Sequence, residues 1–543
     1  VPATRCPAPR RDPRPPGPRG PALTTVVEAA AADLLARRAP EGHWRGGCRG
    51  RLLEAALAVR LLRDTGAAPH ARRAVERFCA RELAAPPAAH TDPFDRLLSR
   101  YLAAAALGRP EPSGGAARLR AALAGHRAVA SLRKRALLGA LLTLLRPGEA
   151  WDVPDVPPDP LAAGGGGWLR PTLAAVRLLT GRHGCGAARA DLALLRESQS
   201  CDGSWDQYVL GTVTILLVLR ERRLAPDVVA RGVDFVVAQI RADGGVPFIS
   251  SQDVWLTCLA SLTLAESGVG EDRLAASADY LCHAQLPDGG WGYAPGVTHA
   301  DADDTAVAVT FLRRCAAPQA RDAAAAGAAW LRRAQNADGG FNTYTGGSRS
   351  EAEITAKAVL ALLAGQPGPA ERAAAARGWS WLAARQRLDG GYPYEWTRSA
   401  AFPLLHVMRA ARAVAAHELG GTGRVMARAA ACLRQGAAGP LGTAYAVGAL
   451  AAAGREAAAL AAGVRLLTAT GPEAAVPPDA LGPRPFVYDV PLLYPVYRLG
   501  GLAAARDLAA ARHGSAAGSP RNGPRNSLRN SPRNRRKPCH STI

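Results

Sequence analysis

Five segments of the chain share one pattern, a helical run, a glutamine, two or three residues and then Asp-Gly: LLRESQSCDGSW, FVVAQIRADGGV, YLCHAQLPDGGW, WLRRAQNADGGF and WLAARQRLDGGY. Their glutamines, Gln199, Gln239, Gln285, Gln335 and Gln386, are 40, 46, 50 and 51 residues apart. APEGHWRG around Trp44 is an early relative, and Gln435 marks a degenerate sixth unit. In each unit apolar residues at helical spacing precede the glutamine, Asp-Gly stops the helix, and an Ala/Val/Leu-rich run follows as a second helix. A helical hairpin of this size cannot bury its apolar face alone, so neighbouring units must stack. The expected fold is all-α, either hairpins closed into an (α/α) barrel or an open helical solenoid.

Composition narrows the setting. A chain of 543 residues, 48% hydrophobic, can bury more than one core. The formal net charge is +22, and half of it lies at the ends: five arginines and one aspartate before residue 24, and seven basic residues without an acid after residue 512. Residues 1–23 and 513–543 lack apolar periodicity and are expected to be disordered; the PRN-repeating tail reads as solvated rather than as a nucleic-acid arm. No run approaches a membrane span and no leader is expected, and ten cysteines without a CxxC pair suit reduced thiols, so a cytoplasmic setting is expected.

Aligning the units on their turns locates an acidic cluster. Asp288 to Thr305 and Asp338 to Thr355 are both 17 residues, so DADDTAVAV lies opposite EAEITAKAV, and DVWLTCLAS, with Thr257 in the same place after a shorter turn, joins them. Asp301, Asp303 and Asp304 therefore open the second helix of a hairpin. Helix capping accounts for one or two carboxylates there, but not readily for three. Asp301 and Asp304 share a face, while Asp303 can enter a cavity. Crowded carboxyls in a dry site keep a proton, which suits protonation of an apolar substrate.

The Q-x-x-D-G-x-W/F units resemble the QW repeats of the triterpene and class II terpene cyclases. DADDTA resembles their DxDD acid motif, and PDGGWGYAPGVTHADADDTA the form it takes in bacterial diterpene cyclases such as copalyl diphosphate synthases. The resemblance covers roughly residues 24–512. It implies two (α/α) barrels, the β and γ domains: 24–48 as the first helix of a catalytic barrel, 49–234 as an inserted barrel, and 235–512 as the remainder of the catalytic barrel. It also implies that Asp303 is the general acid for a terminal alkene, with Asp301 and Asp304 orienting it. Ala302 departs from the usual valine or isoleucine.

An aromatic share of 5% suggests a short cation series. The expected reaction is cyclisation of geranylgeranyl diphosphate to a bicyclic diphosphate of the copalyl or halimadienyl kind. A squalene-hopene-type enzyme is the alternative, and a protein prenyltransferase subunit or a non-enzymatic scaffold is a more distant one. No DDxxD motif is visible, so the diphosphate should survive, with Mg2+ implied only as its partner. The expected partner is thus a small isoprenoid diphosphate, with no nucleic acid and no transmembrane segment, although peripheral membrane contact remains open. Glu351 and Glu353 are read mainly as helix caps, and Trp205, Trp291, Phe341 and Tyr392 as structural clasps. His283 and His299 read as surface residues. His406 is either a core histidine or a partner of the acid.

Overall fold

The computed structural model describes residues 20–517, except 87–91, 111–113, 126–130, 147, 158–167, 345–348, 435, 437–438, 455–456, 475, 481 and 483–485. The Pro/Arg-rich start before residue 20, the PRN tail beyond 517 and Gln435 lie outside the described residues.

Helix α1 (Gly20–Ala36) is followed by α2 (Leu52–Thr65), α3 (Pro69–Ala84), α4 (Pro93–Ala106), α5 (Gly115–Gly125), α6 (Leu132–Leu145), α7 (Leu169–Thr180), α8 (Cys185–Glu197), α9 (Val209–Glu221) and α10 (Pro226–Ala238). Then come α11 (Asp253–Glu266), α12 (Glu271–His283), α13 (Ala302–Leu312), α14 (Pro318–Ala334), α15 (Ala352–Leu363) and α16 (Pro369–Arg385). The chain finishes with α17 (Ala401–Ala416), α18 (Gly423–Leu433), α19 (Gly439–Ala453), α20 (Ala457–Ala469) and α21 (Leu493–Ala517).

Two closed rings result. Helices α11, α13, α15, α17, α19 and α21 pack each on the next, and α21 packs back on α11. Helices α12, α14, α16, α18 and α20 lie outside them, and α1 completes the outer layer against α21. A smaller ring of α2, α4, α6, α7 and α9 closes where α9 meets α2, with α3, α5, α8 and α10 outside. The architecture is therefore a pair of (α/α) barrels; closure removes the exposed ends an open solenoid would need to cap. The inner helices are apolar all round, as double-sided burial requires: in α11 every residue from Val254 to Leu262 is buried. A two-residue antiparallel ladder, β1 (Gly50–Arg51) on β2 (Val246–Pro247), joins the rings.

The repeat is a clamp between outer helices. The amides of Gln199, Gln285, Gln335 and Gln386 each donate to the glycine carbonyl of their own turn and to a carbonyl of the next outer helix, Val228, Ala323, Ala374 and Val425, at 2.8–3.0 Å. The turn glycines have positive φ and touch the same helices: a Cβ on Gly203 (φ +90°) or Gly390 (φ +87°) would lie 2.2 or 2.1 Å from the carbonyl oxygen of Arg231 or Arg428. In three of the units the aromatic after the turn is buried and its backbone N–H donates to a threonine of the inner helix. Trp205 uses Thr212, Trp291 uses Thr305 and Phe341 uses Thr355. Trp44 does the same with Thr257, so APEGHWRG is a full member of the series. The indoles of Trp44, Trp205 and Trp291 and the Tyr392 hydroxyl reach back to a carbonyl of the outer helix before them.

Candidate active site

The clasp of Trp291 positions the acid cluster. The Trp291 carbonyl accepts from the Asp301 N–H at 2.9 Å, so the motif is pinned to the turn before it. Asp301 is the N-cap of α13: its φ of −130° and ψ of 163° are extended, and its Oδ1 accepts from the backbone N–H of Asp304 at 2.8 Å. Capping thus accounts for Asp301. Asp304 lies one turn on with Oδ1 unpartnered among the described residues, and both side chains are buried. Asp303 turns the other way. Its Oδ1 accepts from the Lys357 ammonium on α15 at 2.6 Å, and Lys357 is only 3% exposed.

Burial sets the protonation of the capping pair. Desolvation raises Asp301 to about 6 despite its hydrogen bond to Asp304, and the neighbouring charge of Asp303 adds to the rise. Desolvation and the Asp301 charge push Asp304 well above the usual carboxylate range. These two carboxyls therefore keep a proton near neutral pH, while Asp303 stands in an ion pair beside them.

All three aspartates face a cavity between the two rings, and aromatic side chains converge on it. Trp168 and Tyr208 come from the smaller ring; Phe248, Trp255, Tyr293, Tyr344, Trp396, Phe402, Tyr445 and Tyr488 come from the larger ring and its loops. Ten aromatic side chains around one space show that the rings, few in the chain overall, are concentrated here. The rings are also tied across the boundary, since the Tyr293 hydroxyl donates to the Asp206 carbonyl and the Thr298 N–H to Asp206 Oδ1.

The other candidates distribute as follows. Glu351 sits at the N-cap of α15 but makes no side-chain cap; its Oε2 accepts from Thr343 Oγ1 at 2.7 Å and Trp396 Nε1 at 2.9 Å. Glu353 Oε1 accepts from the N–H groups of Glu395 and Trp396. Both hold the Trp396 loop, and Glu351 makes no side-chain cap bond to α15. His283 and His299 are exposed. His406 is buried and stacks edge-on to Phe402 at 4.7 Å; its Nε2 has no partner among the described residues. Burial, with the Lys357 and Arg409 charges, holds it well below its ordinary value, so it is neutral.

The comparisons with known proteins fit this geometry. The family model of the squalene-hopene cyclase C-terminal domain matches residues 246–413, which include the acid motif and Lys357. A drimenyl diphosphate synthase of Streptomyces showdoensis is 31% identical over 435 residues, 76% of this chain and 79% of that protein. The chain belongs to the bacterial class II terpene cyclases. A second drimenyl diphosphate synthase, from Streptantibioticus cattleyicolor, is 33% identical over 331 residues; the match spans 57% of this cyclase and 59% of that relative's own length. Among solved structures, ent-copalyl diphosphate synthase from Streptomyces platensis superposes with a TM-score of 0.51 at 20% identity, over 89% of this chain and 99% of that one, which supports the double-barrel fold. No helix among the described residues is long and apolar enough to cross a membrane.

Magnesium, implied above as a partner of the diphosphate, is not supported. Among the described residues no group of three His, Cys, Asp or Glu side chains is arranged to hold a metal ion. The carboxylates of the motif are already engaged, Asp301 by a backbone N–H and Asp303 by an ammonium. Class II cyclases start their reaction by protonation from a DxDD acid and do not depend on a metal.

Several buried carboxyls give this cyclase an unusual pH response. Burial raises Glu54 and Glu351 to about 7 and Asp301 and Asp479 to about 6. A carboxyl raised in the folded state binds more protons there than in the unfolded chain, so its contribution to stability is present at low pH and is lost as pH rises through the folded value. The melting temperature should therefore climb as pH is lowered from about 8 to about 6, each group contributing on the order of 1 kcal/mol per unit of its window. Glu351→Gln should flatten the slope. Calorimetric melting across that range checks it, and a melting temperature that falls over the same interval would refute it.

Proposed function

We propose that this cyclase converts a linear prenyl diphosphate into a bicyclic diphosphate by protonating the terminal alkene. The observation that carries the reading is the placement of the acid motif against an aromatic-lined cavity between two (α/α) barrels. Asp303 delivers the proton; Asp301 and Asp304 orient it and hold beside it the proton that passes to its carboxylate, Asp304 being the protonated member of the pair. A C–H bond forms at the chain end, two C–C bonds close in turn, and a proton leaves the last cation. The product is an isomer of the substrate and retains its diphosphate. Aromatic faces stabilise the travelling positive charge and offer no nucleophile to trap it. The catalytic barrel comprises α1 and α11 to α21, with α2 to α10 inserted between them.

The sequence reading favours geranylgeranyl diphosphate, with twenty carbons. A second reading, the shorter farnesyl diphosphate, draws support from the names of the two drimenyl diphosphate synthases. The cavity, at about 100 Å3, holds only part of either chain, so its aromatic walls must part on binding, and less so for the shorter substrate. Incubation with farnesyl diphosphate, geranylgeranyl diphosphate and squalene side by side, with and without phosphatase before mass spectrometry, tests the reading. A bicyclic alcohol that appears only after phosphatase is the expected result, and the better substrate fixes the chain length. A hydrocarbon released directly, or turnover of squalene alone, would overturn it.

A further inference from the structure

The reaction proposed above needs a base as well as an acid, because the last cation must give up a proton inside a cavity walled largely by aromatic rings. Two hydroxyls on that wall are committed elsewhere. The Tyr293 hydroxyl donates to the Asp206 carbonyl, and the Tyr488 hydroxyl accepts from the Gln252 amide at 3.1 Å.

Tyr445 on α19 differs. It is fully buried, it lines the cavity, and its hydroxyl has no hydrogen-bond partner among the described residues. Beside it stands Asp479, from the loop between α20 and α21, whose Oδ2 is likewise buried and unpartnered among the described residues. The Arg398 N–H anchors the other carboxylate oxygen at 3.1 Å, so one oxygen is fixed and the other is spare. The two groups act on each other: the carboxylate tightens the hydroxyl's hold on its proton, and the hydroxyl stabilises the carboxylate. Buried polar atoms rarely stay unpaired without a reason, and catalytic hydrogen bonds are commonly long or poorly aligned until substrate binds.

The place fits the end of the cascade. Phe402 stands between the acid and Tyr445: its ring centroid lies 5.0 Å from the Lys357 ammonium that pairs with Asp303, and 5.0 Å from the Tyr445 ring, edge-on. Charge created beside Asp303 moves away from it with each ring closure, towards Tyr445. Asp479 also has an outlet, since it lines an outer cleft of about 720 Å3 that shares Ala480, Tyr488 and Leu493 with the aromatic cavity and reaches exposed Arg49 and Glu473.

We propose that Tyr445 is the terminating base, with Asp479 acting through it; this rests on the cyclase reading above. The Tyr445 oxygen takes a proton from the carbon next to the final cation as its own O–H proton passes to the Asp479 carboxylate. The C–H bond breaks and its electron pair becomes the C=C bond of the product. Asp479 then releases the proton to water in the outer cleft. Burial raises Asp479 to about 6, so at neutral pH it is ionised and a stronger base than an ordinary carboxylate.

Tyr445→Phe and Asp479→Asn test the assignment. Phenylalanine keeps the ring against Phe402 and Tyr497, and the asparagine oxygen can still accept from the Arg398 N–H. Both variants and the intact chain are incubated with farnesyl and geranylgeranyl diphosphate, and products are identified by chromatography and mass spectrometry after phosphatase. Initiation at Asp303 is untouched, so substrate should still be consumed. Formation of the parent alkene should slow by about 10²-fold or more. Double-bond isomers, and alcohols heavier by one water, should take its place. Asp479→Glu keeps a carboxylate and should restore part of the parent product, which a purely structural role would not predict. Melting temperatures close to the intact chain's establish folding; should one substitution unfold the chain, the other decides, since they lie on different elements. The parent product profile from a folded variant of either residue would overturn the assignment and leave the cyclase reading standing. Absence of any bicyclic product from the intact chain would overturn both.

Discussion

Asp303→Asn should abolish cyclisation, lowering turnover by about 10²- to 10⁴-fold, because general acid catalysis depends on one correctly placed proton. The amide keeps the shape of the side chain and can still accept from Lys357, so the helical circular dichroism should persist at assay temperature. Asp301→Asn and Asp304→Asn should behave differently. Asparagine is as good an N-cap as aspartate, so the first of these retains the bond that Asp301 makes to the Asp304 N–H. Each removes part of the proton reservoir and should cost less than loss of Asp303. Equal loss at all three positions would show that the motif acts as one unit, whereas an active Asp303→Asn with unchanged circular dichroism would remove Asp303 from the mechanism.

The fold was legible because its signals are local. A glutamine two or three residues before Asp-Gly specifies a turn whose glycine must take positive φ, and the amide then has two carbonyls within reach. That geometry repeats because each unit solves the same problem. The acid motif was legible for the same reason: its N-cap, its turn and its clasp all lie between Trp291 and Thr305.

What escaped the sequence is what the ring closure brings together. Lys357 comes from the next unit, 54 residues beyond Asp303, and aligns with Val307. The signal was present but easily passed over: a chain with three lysines places one in the apolar run EITAKAVLALL. The aromatic lining escaped likewise. Tyr208, Phe248, Phe402 and Tyr488 are scattered over 280 residues, and a percentage carries no information about where they converge. Glu351 and Glu353 look like caps in one dimension, and only the return of the Trp396 loop shows what they hold.

The pairing of Lys357 with Asp303 should also dominate stability. A buried ion pair is a poor source of stability in itself, but removing one partner strands the other at a cost of about 3–5 kcal/mol. Asp303→Asn leaves an ammonium 3% exposed with a neutral amide oxygen where its carboxylate stood, beside the Phe402 face 5.0 Å away. Lys357→Met leaves Asp303 with no cation beside the buried Asp301 and Asp304, so three carboxyls must share one dry site. Each single variant should therefore melt below the parent. The double variant should recover much of the loss, because an amide beside a thioether strands no charge. The expected order of melting temperatures is parent, then double, then either single, read by calorimetry on the whole chain because two barrels need not unfold in one step. Additive losses in the double variant would mean that the two side chains do not act as a pair. Turnover separates the two roles: it should stay lost in the double variant even where stability returns, since repacking restores the barrel but supplies no acid.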